Sequence, residues 1–313
     1  MSAHDAFVAN RLAAFAAARP GFRTRFAPAP TGWLHLGHAV NAVWVWSVAR
    51  AFGGRVLLRV EDHDRLRCRP EYEAGVLDDL DWLGLTADDA PTVTYRSWGP
   101  HPVRQSDRNA IYAAALAGLE TRGLAYPCRC SRRDIARVVG EVPHAELRYP
   151  GTCRHAAVPP AETLARRVRM ADGTERSTDL RLGEMVQVPA EQCGDMLVRD
   201  RHGLWTYQFA VVVDDLAQEI ALVIRGEDLL ASTGRQRRLA ALLGGAPPDV
   251  LHHPLVRHPD GEKLSKSSGD TGLRDLRAAG WTPERVLGLA AHLGGLAPSP
   301  APLAAGALAS LWR

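Results

Sequence analysis

Between Arg23 and Phe52 the chain changes character sharply, and the change allows few folds. Arg23 to Ala27 alternates in polarity and reads as a short strand. Pro28, Pro30 and Gly32 then forbid a helix until about His35. From His38 to Phe52 runs an apolar stretch without Gly or Pro, which reads as a buried helix. A strand, a tight turn and a helix start form a natural phosphate site, because unbonded N–H groups and the helix dipole face the ligand. In the turn, His35-Leu36-Gly37-His38 offers two imidazoles for phosphate oxygens. Gly37 leaves room for a base or ribose to approach the backbone.

A second motif lies far along the chain. The only two lysines are Lys263 and Lys266, in Lys263-Leu264-Ser265-Lys266-Ser267 after Pro259-Asp260-Gly261; the other 36 of the 38 basic residues are arginine. Lysine is a compact, mobile point charge and arginine a planar fork, so a serine-rich loop reserving both lysines reads as a phosphate clamp.

With 313 residues, 46% of them hydrophobic, a substantial core and one or two domains are expected. A net charge of +3 permits a local basic face but does not demand a nucleic-acid partner. Arg132-Arg133, Arg166 to Arg169 and Arg235 to Arg238 are candidate phosphate contacts. Asn10, Arg11 and Arg19 interrupt the apolar N-terminal stretch, which reads as a short helix rather than a signal peptide. No apolar run reaches membrane-spanning length, so a cytoplasmic monomer without membrane contact is expected.

Cys128 and Cys130 stand one residue apart, and Cys153 follows beyond a loop. Neighbouring thiolates chelate a metal more easily than they bond to each other, and three sulfurs with one further donor suit tetrahedral zinc. Tyr149, His155 and His144 are the candidates for the fourth ligand. Cys68 and Cys193 read as ordinary small buried residues.

Residues 21–125 read as one half of an α/β unit: a strand from Arg55 to Val60, a helix from Pro70 to Leu83 and another from Ser106 to Arg122. Residues 126–195, with the cysteines and many Gly and Pro breaks, read as an insertion. The alternation resumes near 197, where Trp205 to Phe209 leads into Val211 to Asp215. A buried strand from Ile220 to Gly226 and a helix ending at Leu243 complete a second half over 196–255. Residues 256–313 carry the lysine loop, a helix from Pro283 to Leu293 and an Ala/Pro/Gly-rich tail. The expected fold is α/β, a Rossmann-type parallel sheet split by a zinc-containing insertion, with a short helical C-terminal segment.

Arg25 to His38, Leu58 to Asp64, Gln105 to Tyr112, Arg122 to Cys130, Ile224 to Asp228 and Asp260 to Ser267 together resemble the class I glutamyl-tRNA synthetases. The resemblance implies that a glutamate carboxylate attacks the α-phosphorus of ATP, carried with Mg2+, to give an aminoacyl-adenylate and pyrophosphate. It implies that His35, His38 and Lys266 act in catalysis, with Gly37, Lys263 and Ser265 completing the ATP site. Glutamate would be held by Arg25, Glu61, Tyr207 and Arg225, with backbone from Phe26, Ala27, Pro28 and Ala29. Ala29 stands where the family has serine, and His63 where it has threonine between two aspartates. Asp62 and Asp64 read as structural anchors. Some members of the family carry Cys-x-Cys followed by Tyr-x-x-x-Cys around zinc, a spacing that Cys128, Cys130, Tyr149 and Cys153 match.

After Ser267 come 46 residues, too few for the large anticodon-reading domain of a full glutamyl-tRNA synthetase. The chain thereby resembles the shortened synthetases that transfer glutamate to queuosine in the anticodon loop of tRNA(Asp). A shortened conventional tRNA-glutamylating enzyme and a non-catalytic glutamate- or adenylate-binding paralogue are the alternative expectations.

Overall fold

The computed structural model describes residues 3–97, 99–140, 146–159, 161, 163–256 and 272–313. Helix α1 (Ala3–Ala18) leads into strand β1 (Arg23–Phe26), helix α2 (Leu36–Phe52) and strand β2 (Arg55–Leu58). β1 and β2 pair in parallel, Arg23 opposite Arg55 and Phe26 opposite Leu58, and α2 is the crossover of this β–α–β unit. The uninterrupted apolar run explains why α2 is buried on nearly every side, Trp44 and Trp46 included. The expected strand to Val60 ends at Leu58, although Arg59 N–H still donates to Phe26 O at 3.0 Å; Val60 O accepts from Gln105 N–H at 3.1 Å.

Helix α3 (Pro70–Leu83) begins on its proline and ends at Gly84 with φ 70°; a short helix α4 (Thr92–Tyr95) follows. The single helix expected from Ser106 is instead a 3₁₀ turn (Gln105–Arg108) continued by α5 (Asn109–Thr121). The tight turn aims Gln105 and Arg108 at the buried Asp214.

Next come β3 (Ala125–Cys128), α6 (Arg132–Val139), β4 (Ala165–Val168), β5 (Glu175–Asp179), β6 (Gly183–Gln187), α7 (Pro189–Gln192) and β7 (Met196–Arg199). Strands β3, β4 and β7 form an antiparallel sheet in that order. The β5–β6 hairpin joins another sheet, where Asp179 pairs in parallel with Val250.

Helix α8 (Tyr207–Ala217) contains three successive valines, and its burial overrides their poor helix propensity. Strand β8 (Leu222–Gly226), helix α9 (Thr233–Leu242) and strand β9 (Asp249–His253) make a second parallel β–α–β unit. Ala221 N–H donates to Arg23 O at 2.9 Å where this unit meets β1. Helices α10 (Leu273–Ala278) and α11 (Pro283–Leu293) and a 3₁₀ segment (Ala305–Trp312) close the fold over α2; Trp312 Nε1 donates to Ser47 Oγ at 3.0 Å. No helix among the described residues is long and apolar enough to cross a membrane.

Candidate active site

A cavity of about 430 Å³ opens where the C-terminal ends of β1 and β8 meet the N-terminal ends of α2 and α8. Ligands of open α/β sheets bind at such strand ends. Arg25, Ala27, His35, Gly37, His38, Glu61, Tyr207 and Arg225 all line it, so residues 200 apart in sequence share one wall. Phe26 does not line it: its side chain packs against Trp46 in the core. Pro28 O accepts from Glu61 N–H at 3.0 Å, and Ala29 O from Thr31 N–H at 2.8 Å. Lys263, Ser265 and Lys266 lie outside the described residues.

At one end of the cavity the charges are unbalanced in a way that matters. Arg225 is 5% exposed, and its nitrogens donate to His252 Nε2 (3.0 Å), Gln236 Oε1 (2.6 Å) and Thr233 Oγ1 (2.9 Å). Every one of those partners is neutral, and among the described residues no carboxylate pairs with it. Burial pushes the Arg225 guanidinium below its ordinary range; Tyr207 and, from beyond contact distance, Asp215 oppose this, and Arg25 adds to it. A buried cation without a counter-ion favours an anionic ligand strongly. His252 is a neutral link in this support: Nε2 accepts from Arg225, so Nδ1–H donates to Asp179 Oδ2, 2.7 Å away and fully buried.

Arg25 donates to Ile224 O (3.3 Å) and to Asp215 Oδ1 (3.4 Å), a long contact that leaves much of its fork uncommitted. Glu61 Oε1 is gripped by Arg59, whose NH1 also reaches Asp215 Oδ1 at 2.7 Å. Arg59 is completely buried; burial disfavours its charge, but Asp215, Glu61 and Asp214 outweigh that and hold it above its ordinary range. Burial likewise raises the Tyr207 phenol, keeping it a neutral donor. The cavity therefore presents two guanidinium forks, one carboxylate and one phenol, complementary to two carboxylates and an ammonium.

The other end is built by the start of α2. His35 is the N-cap, its Nδ1 accepting from Gly37 N–H at 3.1 Å, and His38 Nδ1 accepts from His35 N–H at 3.2 Å. This is a capping box made from two histidines. An accepting Nδ1 places each neutral ring's proton on Nε2. The rings lie 4.0 Å apart beside the positive end of the helix dipole.

Away from the cavity, the Cys128, Cys130 and Cys153 sulfurs all lie within 4.8 Å of one another. Tyr149 Oη sits 3.3 Å from Cys128 Sγ and 3.8 Å from Cys130 Sγ, and accepts from Cys153 N–H at 2.8 Å. Three sulfurs and one phenol oxygen converge, a donor set that can hold a metal. His155 is exposed and not part of the group, and His144 lies outside the described residues. Burial pushes the Cys130 thiol up to about 11 and raises the Tyr149 phenol further.

Several of the arginine runs are engaged within the protein. Arg167 stacks on Tyr149 and donates to Asp195 O, Arg166 pairs with Glu120, and Arg235 pairs with Glu146. Asp62 and Asp64 do anchor backbone, accepting from Ser106 N–H (2.7 Å) and Leu66 N–H (3.2 Å). Sequence reading missed Asn41, His252 and His253, and the support from Asp179, Thr233 and Gln236. The adjacent histidines before Pro254 were a visible signal; the others carried none.

The family model for class I tRNA synthetases (E and Q), catalytic domain, matches residues 21–298. A protein named glutamyl-Q tRNA(Asp) synthetase from Symbiobacterium thermophilum is 43% identical over 296 residues, covering 89% of this chain and 88% of the relative. A protein named glutamate–tRNA ligase 2 from Syntrophus aciditrophicus is 38% identical over 281 residues, covering 87% of this chain but 57% of its own. Among solved structures, a glutamate tRNA ligase from Elizabethkingia meningosepticum in complex with its amino acid superposes with a TM-score of 0.77 at 26% identity. That match takes in 94% of this chain and spans 65% of the ligase. Sequence, fold and cavity agree: the chain belongs to the class I tRNA synthetases of the E and Q type and is a ligase of that class.

Proposed function

We propose that the protein activates glutamate with ATP to glutamyl-adenylate and transfers it to queuosine in the anticodon loop of tRNA(Asp). The observation that carries the reading is the single cavity that holds both the double-histidine helix start and a buried arginine with no carboxylate partner among the described residues. Arg25 and Arg225 take the two carboxylates of glutamate, Glu61 the ammonium, and Tyr207 donates to a carboxylate oxygen. The Nε2–H groups of His35 and His38 donate to phosphate oxygens as charge builds at the reacting phosphorus, and Gly37 admits the adenosine. Lys266, assisted by Lys263 and Ser265, neutralises the departing pyrophosphate. Mg2+ arrives with ATP and shares that neutralisation. Each preorganised charge is worth about 100- to 1,000-fold in rate.

Residues 21–125 and 196–255 serve as the two catalytic halves, 126–195 as an acceptor-binding insertion, and 256–313 as the lysine motif with its helical support. Zinc held by Cys128, Cys130, Cys153 and Tyr149 ties the end of β3 to the loop before β4. Support for the acceptor comes from relatives named for queuosine-bearing tRNA(Asp), which this chain matches along nearly their whole length. The match to a longer glutamate–tRNA ligase favours the alternative, transfer to an ordinary tRNA end.

The two are separated by incubating the protein with labelled glutamate, ATP and either queuosine-containing or queuosine-lacking tRNA. Label is expected on the modified tRNA(Asp) alone. Label on tRNA(Glu) establishes the alternative, and glutamate-dependent ATP–pyrophosphate exchange without any labelled RNA rejects both acceptors.

A further inference from the structure

His63 has no part in the glutamate or ATP inventory, yet its ring is held in one orientation and one tautomer. The loop after β2 is fastened to residues 105–106 through Gln105 N–H to Val60 O (3.1 Å) and Ser106 N–H to Asp62 Oδ1 (2.7 Å). His63 Nδ1 lies 2.6 Å from Gln105 Oε1. Gln105, 1% exposed, gives its Nε2 to Asp214 Oδ2 at 2.8 Å. Asp214 is wholly buried and also takes Arg108 Nε (2.6 Å) and Tyr112 Oη–H (2.9 Å). A carboxylate ringed by donors only accepts, so the Gln105 nitrogen must face it and the Gln105 oxygen must face His63. The His63 proton is therefore on Nδ1, and the basic lone pair on Nε2. The ring is half-buried, two residues beyond Glu61 and 6.3 Å from the ring of Tyr207, which lines the cavity.

We propose that His63 is the catalytic base of the transfer step. It rests on the glutamyl-transfer reading above and adds a residue to it. The acceptor hydroxyl of the RNA attacks the carbonyl carbon of glutamyl-adenylate. The new C–O ester bond forms, the C–O bond to phosphate breaks, and AMP leaves with the electron pair. The hydroxyl proton passes to His63 Nε2, while Gln105 and Asp214 keep the ring aligned and stabilise the imidazolium through Nδ1–H. Forming the adenylate releases no such proton, so activation does not use the ring.

The test compares the wild type with His63→Gln, which keeps hydrogen bonding but holds no proton, and His63→Ala. Three rates are measured: glutamate-dependent ATP–pyrophosphate exchange, glutamyl-hydroxamate formation with hydroxylamine, and single-turnover transfer from preformed adenylate to tRNA. Exchange and hydroxamate formation are expected to stay within about threefold, while transfer falls about 100-fold in both variants. Added imidazole should restore part of the transfer in His63→Ala, a rescue that a merely structural role does not permit. Transfer within threefold of wild type in the variants overturns the proposal, as does a parallel loss of exchange or a weakened tRNA affinity that accounts for the change. A wild type that exchanges pyrophosphate but charges no RNA removes the function reading and this proposal together; unchanged variants of a charging wild type remove only the proposal.

Discussion

Arg225 is oriented before any ligand arrives, and the orientation comes from neutral groups. Asp179 fixes His252, and His252 fixes the Nε edge of the guanidinium. Replacing His252 by Gln removes the link between them. The KM for glutamate in pyrophosphate exchange is expected to rise about tenfold, the worth of about 1.4 kcal/mol, with the KM for ATP nearly unmoved. Equal rises in both would mean general damage instead. His253 makes the second prediction at this scale. It stacks on Trp44, its Nδ1–H donates to Pro254 O (2.9 Å), and Asn41 Nδ2 donates to its Nε2 (3.1 Å). Burial pushes the imidazole down to about 4. The unfolded chain binds this proton near pH 6.5, so the folded state is fully favoured above that and loses stability as pH falls towards 4. The loss attributable to this ring is up to about 3 kcal/mol. Urea unfolding across pH 4–7 should show a shallower acid slope in His253→Gln; an unchanged slope would place the ring's protonation elsewhere. Nothing in the local sequence marked Asp179 or Asn41, because their roles exist only across strand and helix contacts.

The start of α2 is the element on which the proposed phosphate end depends. Its two histidines cap the helix through Nδ1 and leave Nε2 for the proposed chemistry, so the two roles fall on opposite edges of each ring. A Cβ added at Gly37 would sit 2.9 Å from His35 Cε1. Gly37 is the second residue of α2 and its φ is not in the left-handed region, so Gly37→Ala should fold normally. It should displace the His35 ring from its cap and lower pyrophosphate exchange about 10- to 100-fold, chiefly through the KM for ATP. Exchange at the wild-type rate would show that the ring moves without consequence. This element was legible in the sequence, since Pro28, Pro30 and Gly32 stop one structure and an apolar run begins another. The break between Gln105–Arg108 and α5 was not, because side chains reaching for Asp214 decide it.

Across the whole molecule, helix α8 is tied to the first β–α–β unit by a buried ion cluster as well as by apolar packing. Asp215 from α8 reaches Arg59 after β2 and Arg25 on β1. Asp215→Asn leaves the fully buried Arg59 with one close carboxylate, Glu61, and Asp214 at 4.0 Å. Breaking such a pair is expected to cost about 3 kcal/mol in a denaturant melt and to raise the KM for glutamate, because Glu61 and Arg25 share the cluster. A change under about 1 kcal/mol would mean the remaining two carboxylates suffice.

By itself the sequence determined the alternation of strands and helices, the His-x-Gly-His turn and the spacing of three cysteines, since turn geometry, apolar periodicity and ligand spacing are local properties. It also offered Arg25, Glu61, Tyr207 and Arg225 as candidates, and the fold brings all four to one cavity. Only the tertiary structure decided that Arg225 has no carboxylate in contact among the described residues, that Asp179 steadies it from a hairpin, and that Gln105 sets the tautomer of His63. Those outcomes turn on which polar groups meet inside a low-dielectric interior, and such meetings depend on how distant strands and helices pack, which no stretch of sequence encodes alone.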